Sequence, residues 1–368
     1  YWVTGRVPVR RKGDGSLPVP GWSGEYEWIG EVPFEEMPHA FNPAKGYIVT
    51  CNHRLVPDDY PHFLGNVWMN GYRARRIVDV LESKEKHSLE EMGALHLDFT
   101  CLPGREFVRR LEGFASHDPD VQLALELLRG WDGQLTPASV PGSVYEVSRY
   151  MLVRNLLDPA LGVDLTIRYM GVGFHPLLLH SHEFYGHDTT VLLRLLDDTD
   201  SWWVQQAGGK EVWLSRSLKE AVDWLRTMLG SDPGKWEWGK LHTLTFRHPL
   251  SVQAPLDRVF NRGPYPIGGD TDTPCQTATN PEKPYENNAW APSYRQIIDL
   301  ADFSRSVAIY PPGQSGQLGS RHYDDLIDLW LKGEYHPMLW TRSQVEDCLE
   351  SKLVVSPLEK EQHENMEQ

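Results

Sequence analysis

Two residue types placed close together suggest chemistry. Asn52 ends a strand-like run, Gly46-Tyr47-Ile48-Val49-Thr50-Cys51, and an Arg-rich helix start, Arg73-Ala74-Arg75-Arg76, follows soon after. A side-chain amide held at the end of a strand is a suitable oxyanion donor, because it needs no proton transfer. A nearby guanidinium can steady charge or orient other groups of a site. The plainer reading of the same residues is structural: Asn at a strand end is a turn residue, and Arg at a helix start is solvated. Chemistry alone leaves both open.

Other constellations are weaker. His182-Glu183-Phe184-Tyr185-Gly186-His187 resembles a helical zinc signature, which needs two His at i and i+4. Here the spacing is five, about 500° of helix rotation, which turns the second ring about 140° away from the first. With His175 and His180 nearby, a non-helical metal site stands as the alternative to a polar loop. Gly313-Gln314-Ser315-Gly316 begins like a nucleophile elbow, but Gln317 takes the place of the closing Gly and Pro311-Pro312 favours a turn. Gly268-Gly269-Asp270 matches neither a dinucleotide fingerprint nor a phosphate loop.

The elements that must position these residues follow from length and periodicity. The 368 residues are 40% hydrophobic and 24% charged, ordinary for a chain that buries a core. A formal net charge of -15 argues against nucleic acid and anionic lipid as partners. No apolar run approaches the ~20 residues that span a bilayer. The four cysteines, Cys51, Cys101, Cys275 and Cys348, form no C-x-x-C pair and read as buried or free thiols.

Residues 1–66 read as strand-rich, with a first strand in Tyr1–Val9, a half-buried one in Glu25–Ile29 and a third in Gly46–Thr50. Because the chain opens inside a strand-like run without Met, its N-terminus reads as a cut edge. A helical block covers 71–232. Its signals are the Tyr72, Ile77, Val80, Leu81 face, a capping box at Ser88 and Glu91, and helices in Val121–Leu128, Val144–Leu157 and Val191–Leu196. A second capping box, Ser217 with Glu220, opens the helix through Leu229. A strand-rich return covers 240–356, with strands in Leu241–Phe246 and Ser306–Tyr310 and short helices in Tyr323–Leu331 and Gln344–Leu349. The charged tail, 357–368, reads as disordered. Strands, helices and strands again predict one interleaved α+β body.

At this point a family is legible. Leu17-Pro18-Val19-Pro20-Gly21, Glu25-Tyr26-Glu27-Trp28, Pro33-Phe34 and Asn42-Pro43-Ala44-Lys45-Gly46-Tyr47-Ile48-Val49-Thr50-Cys51-Asn52-His53 form an ordered series that resembles the β subunits of penicillin acylases. The resemblance continues through Gly71–Ile77, Trp131-Asp132-Gly133, Pro311–Gly316 and Leu339-Trp340-Thr341, nearly the whole chain. It implies a partial N-terminal-nucleophile hydrolase fold of αββα type with a large helical lobe. It also implies an acyl amide substrate cleaved through an acyl-enzyme on an N-terminal Ser, whose own amine is the base. By position Asn52 becomes an oxyanion donor and Arg73 a residue lining the site.

The resemblance aligns Tyr1 inside the β subunit, so the chain carries no nucleophile and is expected to be inactive alone. It names as partners an α subunit and the upstream part of the β chain, and a periplasmic or secreted location. It raises a structural Ca²⁺, to which Gly15 could offer a backbone oxygen. The chain departs from the pattern at His53, where many relatives have Asn, and at Tyr60-Pro61-His62-Phe63, which supplies no matching carboxylate. Two other readings remain: an acyl-homoserine-lactone acylase of the same family, and a non-catalytic binding module using Trp2, Trp22, Trp28, Trp68, Trp202 and Trp203 as platforms.

Overall fold

The computed structural model describes residues 1–3, 5–172, 188–278, 284–285 and 289–357. His175, His180, the His182–His187 segment and the tail from 358 lie outside the described residues, so the metal and disorder expectations made for them are not addressed.

The helical block is α1 (Tyr72–Glu82), α2 (Leu89–Leu95), α3 (Leu102–Arg110), α4 (Pro119–Leu128), α5 (Val140–Leu161), α6 (Val163–Tyr169), α7 (Asp188–Asp197), α8 (Trp202–Gln206) and α9 (Lys210–Leu229). Local signals start several of these. Ser88 and Glu91 form the reciprocal capping box of α2. Asp118 accepts from the backbone N–H groups of Asp120 and Val121, with Pro119 at the first helical position of α4. Ser139 accepts from Gly142 N and starts α5.

Helices α5 and α9 form the centre. Val144, Val147 and Leu152 of α5 pack with Trp213, Leu214, Leu218, Val222 and Leu225 of α9, all fully buried. Burying a side chain of this size contributes about 1.5–3 kcal/mol. The Trp213 indole also donates to Leu152 O at 2.9 Å, so its one polar atom is satisfied.

Sequence and structure part at Ser217. It does not cap a helix: α9 begins at Lys210, and Ser217 is buried in its middle. Its hydroxyl donates to Trp213 O at 2.8 Å and accepts from Asn155 Nδ2 at 3.1 Å. A Ser can bond its own helix at i−4 as readily as it caps one, so a cap-like spacing inside an amphipathic run is ambiguous.

The strand expectations needed more correction. Among the described residues before 70, the strands are β1 (Pro8–Arg10) and β2 (Trp28–Glu31), which form one antiparallel ribbon. All four residues of β2 are exposed, not half-buried, because among the described residues no layer covers either face. The expected strand at 46–50 is absent; the chain there is irregular, following a turn at Gly46 with φ +77°. A strand needs a neighbour to bond, and residues 46–50 have none among the described residues. Beyond the lobe come β3 (Thr243–Phe246), α10 (Leu256–Phe260), β4 (Arg262–Pro266), β5 (Arg295–Ile297), β6 (Val307–Ile309), α11 (Ile327–Lys332), β7 (His336–Pro337) and α12 (Arg342–Asp347). These strands make a β3–β4 hairpin and a three-stranded antiparallel sheet ordered β5-β6-β7. The whole is α+β, dominated by helix.

Candidate functional site

Helix α1 begins in an unusual way. Its first turn carries Arg73, Arg75 and Arg76 with no acidic residue, against the preference of a helix N-terminus for negative charge. Each guanidinium is engaged elsewhere. Arg76 donates to Asp98 Oδ2 at 2.7 Å and Arg75 to Glu106 Oε1 at 3.4 Å. Arg73 reaches back across the chain: its Nη2 donates to Cys51 O at 2.8 Å and to Asn52 Oδ1 at 3.0 Å.

The two residues singled out from sequence are therefore in direct contact, but not by the expected means. Among the described residues no sheet lies beneath Asn52. It sits in the left-handed region, φ +60°, which Asn tolerates better than most residues. Its backbone O accepts from Met69 N at 3.0 Å, and His53 makes a parallel bridge to Met69. The segment entering α1 thus replaces the missing strand as the support.

The Arg73 contact also decides which way the carboxamide faces. A guanidinium only donates, so the atom it meets must be the amide oxygen. The Asn52 Nδ2 group is turned away and finds no partner among the described residues. Asn52 is exposed and Arg73 half-buried. The result is a carboxamide clamped at its acceptor end, with two N–H donors presented outward.

The neighbours are electrically quiet. His53 Nδ1 accepts from Cys51 N at 3.3 Å, and partial burial, then the charges of Arg73 and Lys45, hold its pKa below the ordinary imidazole value. It is a neutral group at pH 7. Burial raises the pKa of the Cys51 thiol, so it remains protonated and is no nucleophile. Ser315, the rejected elbow residue, lies in a turn: its N–H donates to His322 O at 2.9 Å and its hydroxyl accepts from Gln317 N at 3.1 Å.

Gly15 does not by itself make a calcium site. Ca²⁺ takes 6–8 oxygen ligands, carboxylates prominent among them. The adjacent carboxylate, Asp14, already accepts from Ser16 N at 2.9 Å and Asn66 Nδ2 at 3.3 Å. The Arg10 guanidinium stands 3.0 Å from where a Cβ on Gly15 would lie, an unfavourable charge beside a dication. No cluster of three or more His, Cys, Asp or Glu able to hold a metal occurs among the described residues.

A second polar centre is not assembled by any sequence motif. Glu146 and Arg149 of α5, Asp188 at the start of α7, and Asp270 and Asp272 in the loop after β4 meet in the interior of the lobe. Arg149 pairs with Glu146 Oε2 at 3.0 Å and with Asp188 Oδ2 at 2.9 Å. Asp188 is nevertheless pushed up to about 6, because burial outweighs the attraction of Arg149. Burial, then the charges of Glu146 and Asp272, holds Asp270 well above the usual carboxylate range. His242 lines the same cavity of about 60 Å³, and burial depresses it to about 3. The one available signal was Gly268-Gly269-Asp270-Thr271-Asp272, two acids in a glycine turn, which a search for nucleotide motifs discards.

The chain is similar to a thermostable penicillin G acylase from Alcaligenes faecalis, with a TM-score of 0.60 and 19% identity, covering 98% of this chain and 66% of that one. The penicillin amidase family model matches residues 1–347, and the chain belongs to that family. Among curated proteins, the penicillin acylase 2 proenzyme of Pseudomonas sp. (strain SE83) is 33% identical across 96% of this chain. An acyl-homoserine lactone acylase of Pseudomonas aeruginosa is 30% identical across 91%. The chain spans less than half the length of these relatives, 44% and 42% respectively.

Proposed function

We propose that this chain supplies the oxyanion-binding side of an amide hydrolase whose nucleophile, an N-terminal Ser, lies in another part of the precursor. The Ser hydroxyl attacks the amide carbonyl and passes its proton to the Ser α-amine. Charge then builds on the carbonyl oxygen, and the Asn52 Nδ2 group donates to it. Collapse expels the amine, which takes the proton, and water releases the acid from the acyl-enzyme. Arg73 holds the carboxamide by its oxygen and so selects the face it shows to the substrate. No step uses a metal.

The observation that carries this reading is the orientation of Asn52: acceptor end clamped, donor end free and outward. The partners on this reading are the α subunit and the upstream β segment. The exposed apolar side chains of residues 17–48, Trp22, Trp28, Phe34 and Phe41 among them, support such partners. Alone, the chain hydrolyses nothing; joined to the Ser-bearing part, it cleaves a linear acyl amide. A periplasmic or secreted location belongs to the same proposal, on the family resemblance.

Asn52→Ala in the matured enzyme tests it. Loss of one oxyanion donor typically lowers kcat ~10²–10³-fold. A loss under about fivefold, with the fold intact by circular dichroism, would give Asn52 a structural role only. A second reading concerns the substrate: the likeness to an acyl-homoserine lactone acylase favours that amide. Comparing kcat/KM on an acyl-homoserine lactone and on a penicillin side-chain amide separates the two.

A further inference from the structure

We propose that Asn70 and Asp272 are positioning residues for the Asn52–Arg73 pair, joining an irregular loop to the rigid interior of the helical lobe. The proposal rests on Asn52 being the oxyanion donor. Asn52 has no ladder to hold it and is tied twice to one short segment, by its backbone O to Met69 N and by its side chain to Arg73. The position of residues 69–73 therefore sets the position of the carboxamide.

Asn70 lies between those two contacts and is itself anchored. Its Nδ2 donates to Asp272 Oδ1 at 2.5 Å, across 202 positions of sequence, while its Oδ1 accepts from Tyr72 N at 3.2 Å. One side chain thus satisfies an N-terminal donor of α1 and links that end of the helix to the lobe. The acceptor is well fixed. Asp272 is buried, its N–H donates to Asp270 Oδ1 at 2.8 Å, and Asp270 N donates to Thr273 Oγ1 at 2.9 Å. An amide donating to a carboxylate makes a stronger, shorter bond than a neutral pair. Other contacts of α1, Tyr72 and Arg75 to Glu106 and Arg76 to Asp98, hold the helix further along. Asn70 is the one placed between the two residues that touch Asn52. A misplacement of about 1 Å at a reacting centre can cost ~10²-fold in rate, so a support of this kind acts on kcat.

The test uses the matured enzyme. Asn70→Asp keeps the acceptor for Tyr72 N–H and turns the donor facing Asp272 into an oxygen. It should lower kcat about tenfold or more with KM within about twofold. Adding Asp272→Asn exchanges the two side chains and restores one donor and one acceptor, so the double variant should recover most of the loss. In an Asn52→Ala background, Asn70→Asp should cost nothing further, since it acts through Asn52. Unchanged kcat in Asn70→Asp, no recovery on exchange, or losses that multiply with Asn52→Ala would each overturn the proposal. If Asn52→Ala alone leaves kcat intact, the oxyanion reading fails, and hydrogen exchange at the Met69 amide still reads the tie. Faster exchange in Asn70→Asp supports it, and an unchanged rate overturns it.

Discussion

Residues 1–70 and 72–230 obey different rules. The lobe of α1 to α9 has a continuous core in which Trp213, Leu214, Leu218, Val222 and Leu225 are wholly buried. The arm before it buries few apolar side chains, Val32, Met37, Cys51 and Met69, and leaves Trp22 91% and Phe41 87% exposed. Both regions are rich in apolar residues, so composition does not separate them. What separates them is closure: the helices cover one another, whereas the single two-stranded ribbon of the arm has no second layer. A region of that kind takes its stability from surfaces outside itself. The candidate site lies at the junction, with Asn52 contributed by the arm and Arg73 by the first helix of the lobe.

Truncation tests that contrast most strongly. Trp213→Ala should cost roughly 3–5 kcal/mol, from the cavity it leaves and the lost bond to Leu152 O. Trp22→Ala in the same chain should change stability by less than about 0.5 kcal/mol, as at other open surface positions. Urea unfolding followed at 222 nm reads both, and equal losses would erase the distinction between arm and lobe.

The buried polar centre gives a smaller effect that depends on pH. Asp188 is raised to about 6 from an ordinary 3.8, so the native state holds its proton longer than the unfolded chain. Its contribution is complete below about pH 4 and is lost as pH rises through about 6. His242 is depressed to about 3 from 6.5, so its contribution is present above about pH 6.5 and is lost as pH falls toward 3. The two slopes oppose each other between about pH 4 and 6. Relative to the parent, Asp188→Asn should therefore gain stability with rising pH across that window, and His242→Gln should lose it. Each slope is bounded by about 1.4 kcal/mol per pH unit. Parallel pH profiles for parent and variants would show that neither group titrates as its burial implies.

Collisional quenching sharpens the same comparison with the least perturbation. In the chain alone, iodide should reach the fluorescence of Trp22 and Trp28 and spare that of Trp213, Trp236 and Trp238. In the assembled enzyme the arm should become protected as its exposed apolar side chains are covered. Arm indoles that stay quenchable there, and shift on adding a polysaccharide, would favour the binding-module reading.

Legibility in the sequence follows the range of the interaction involved. Helix α2 was readable because Ser88 and Glu91 act on backbone groups within three residues, and α4 because Val121–Leu128 is a continuous run of mostly good helix formers. The 46–50 strand was misread because a short apolar run, Tyr47-Ile48-Val49, shows only that a strand could form, and pairing depends on a neighbour elsewhere in the chain. Ser217 was misread because one hydroxyl can serve two local bonds, and burial of the helix chose between them. That Asn52 and Arg73 belong together was legible, since their types and order survive in the motif series. The reason for their contact was not, because it depends on a left-handed backbone at Asn52 and on Met69 as support.

By itself the sequence determined the family, the helical block and the identity of the two polar residues at the junction, all of which depend on residue order and local bonding. Only the tertiary structure decided which end of the Asn52 carboxamide is clamped, that Asn70 reaches Asp272, and that four carboxylates share one interior with Arg149. These contacts join residues tens to hundreds of positions apart. Such pairings are set by how layers close over one another, and no periodicity along the chain encodes that.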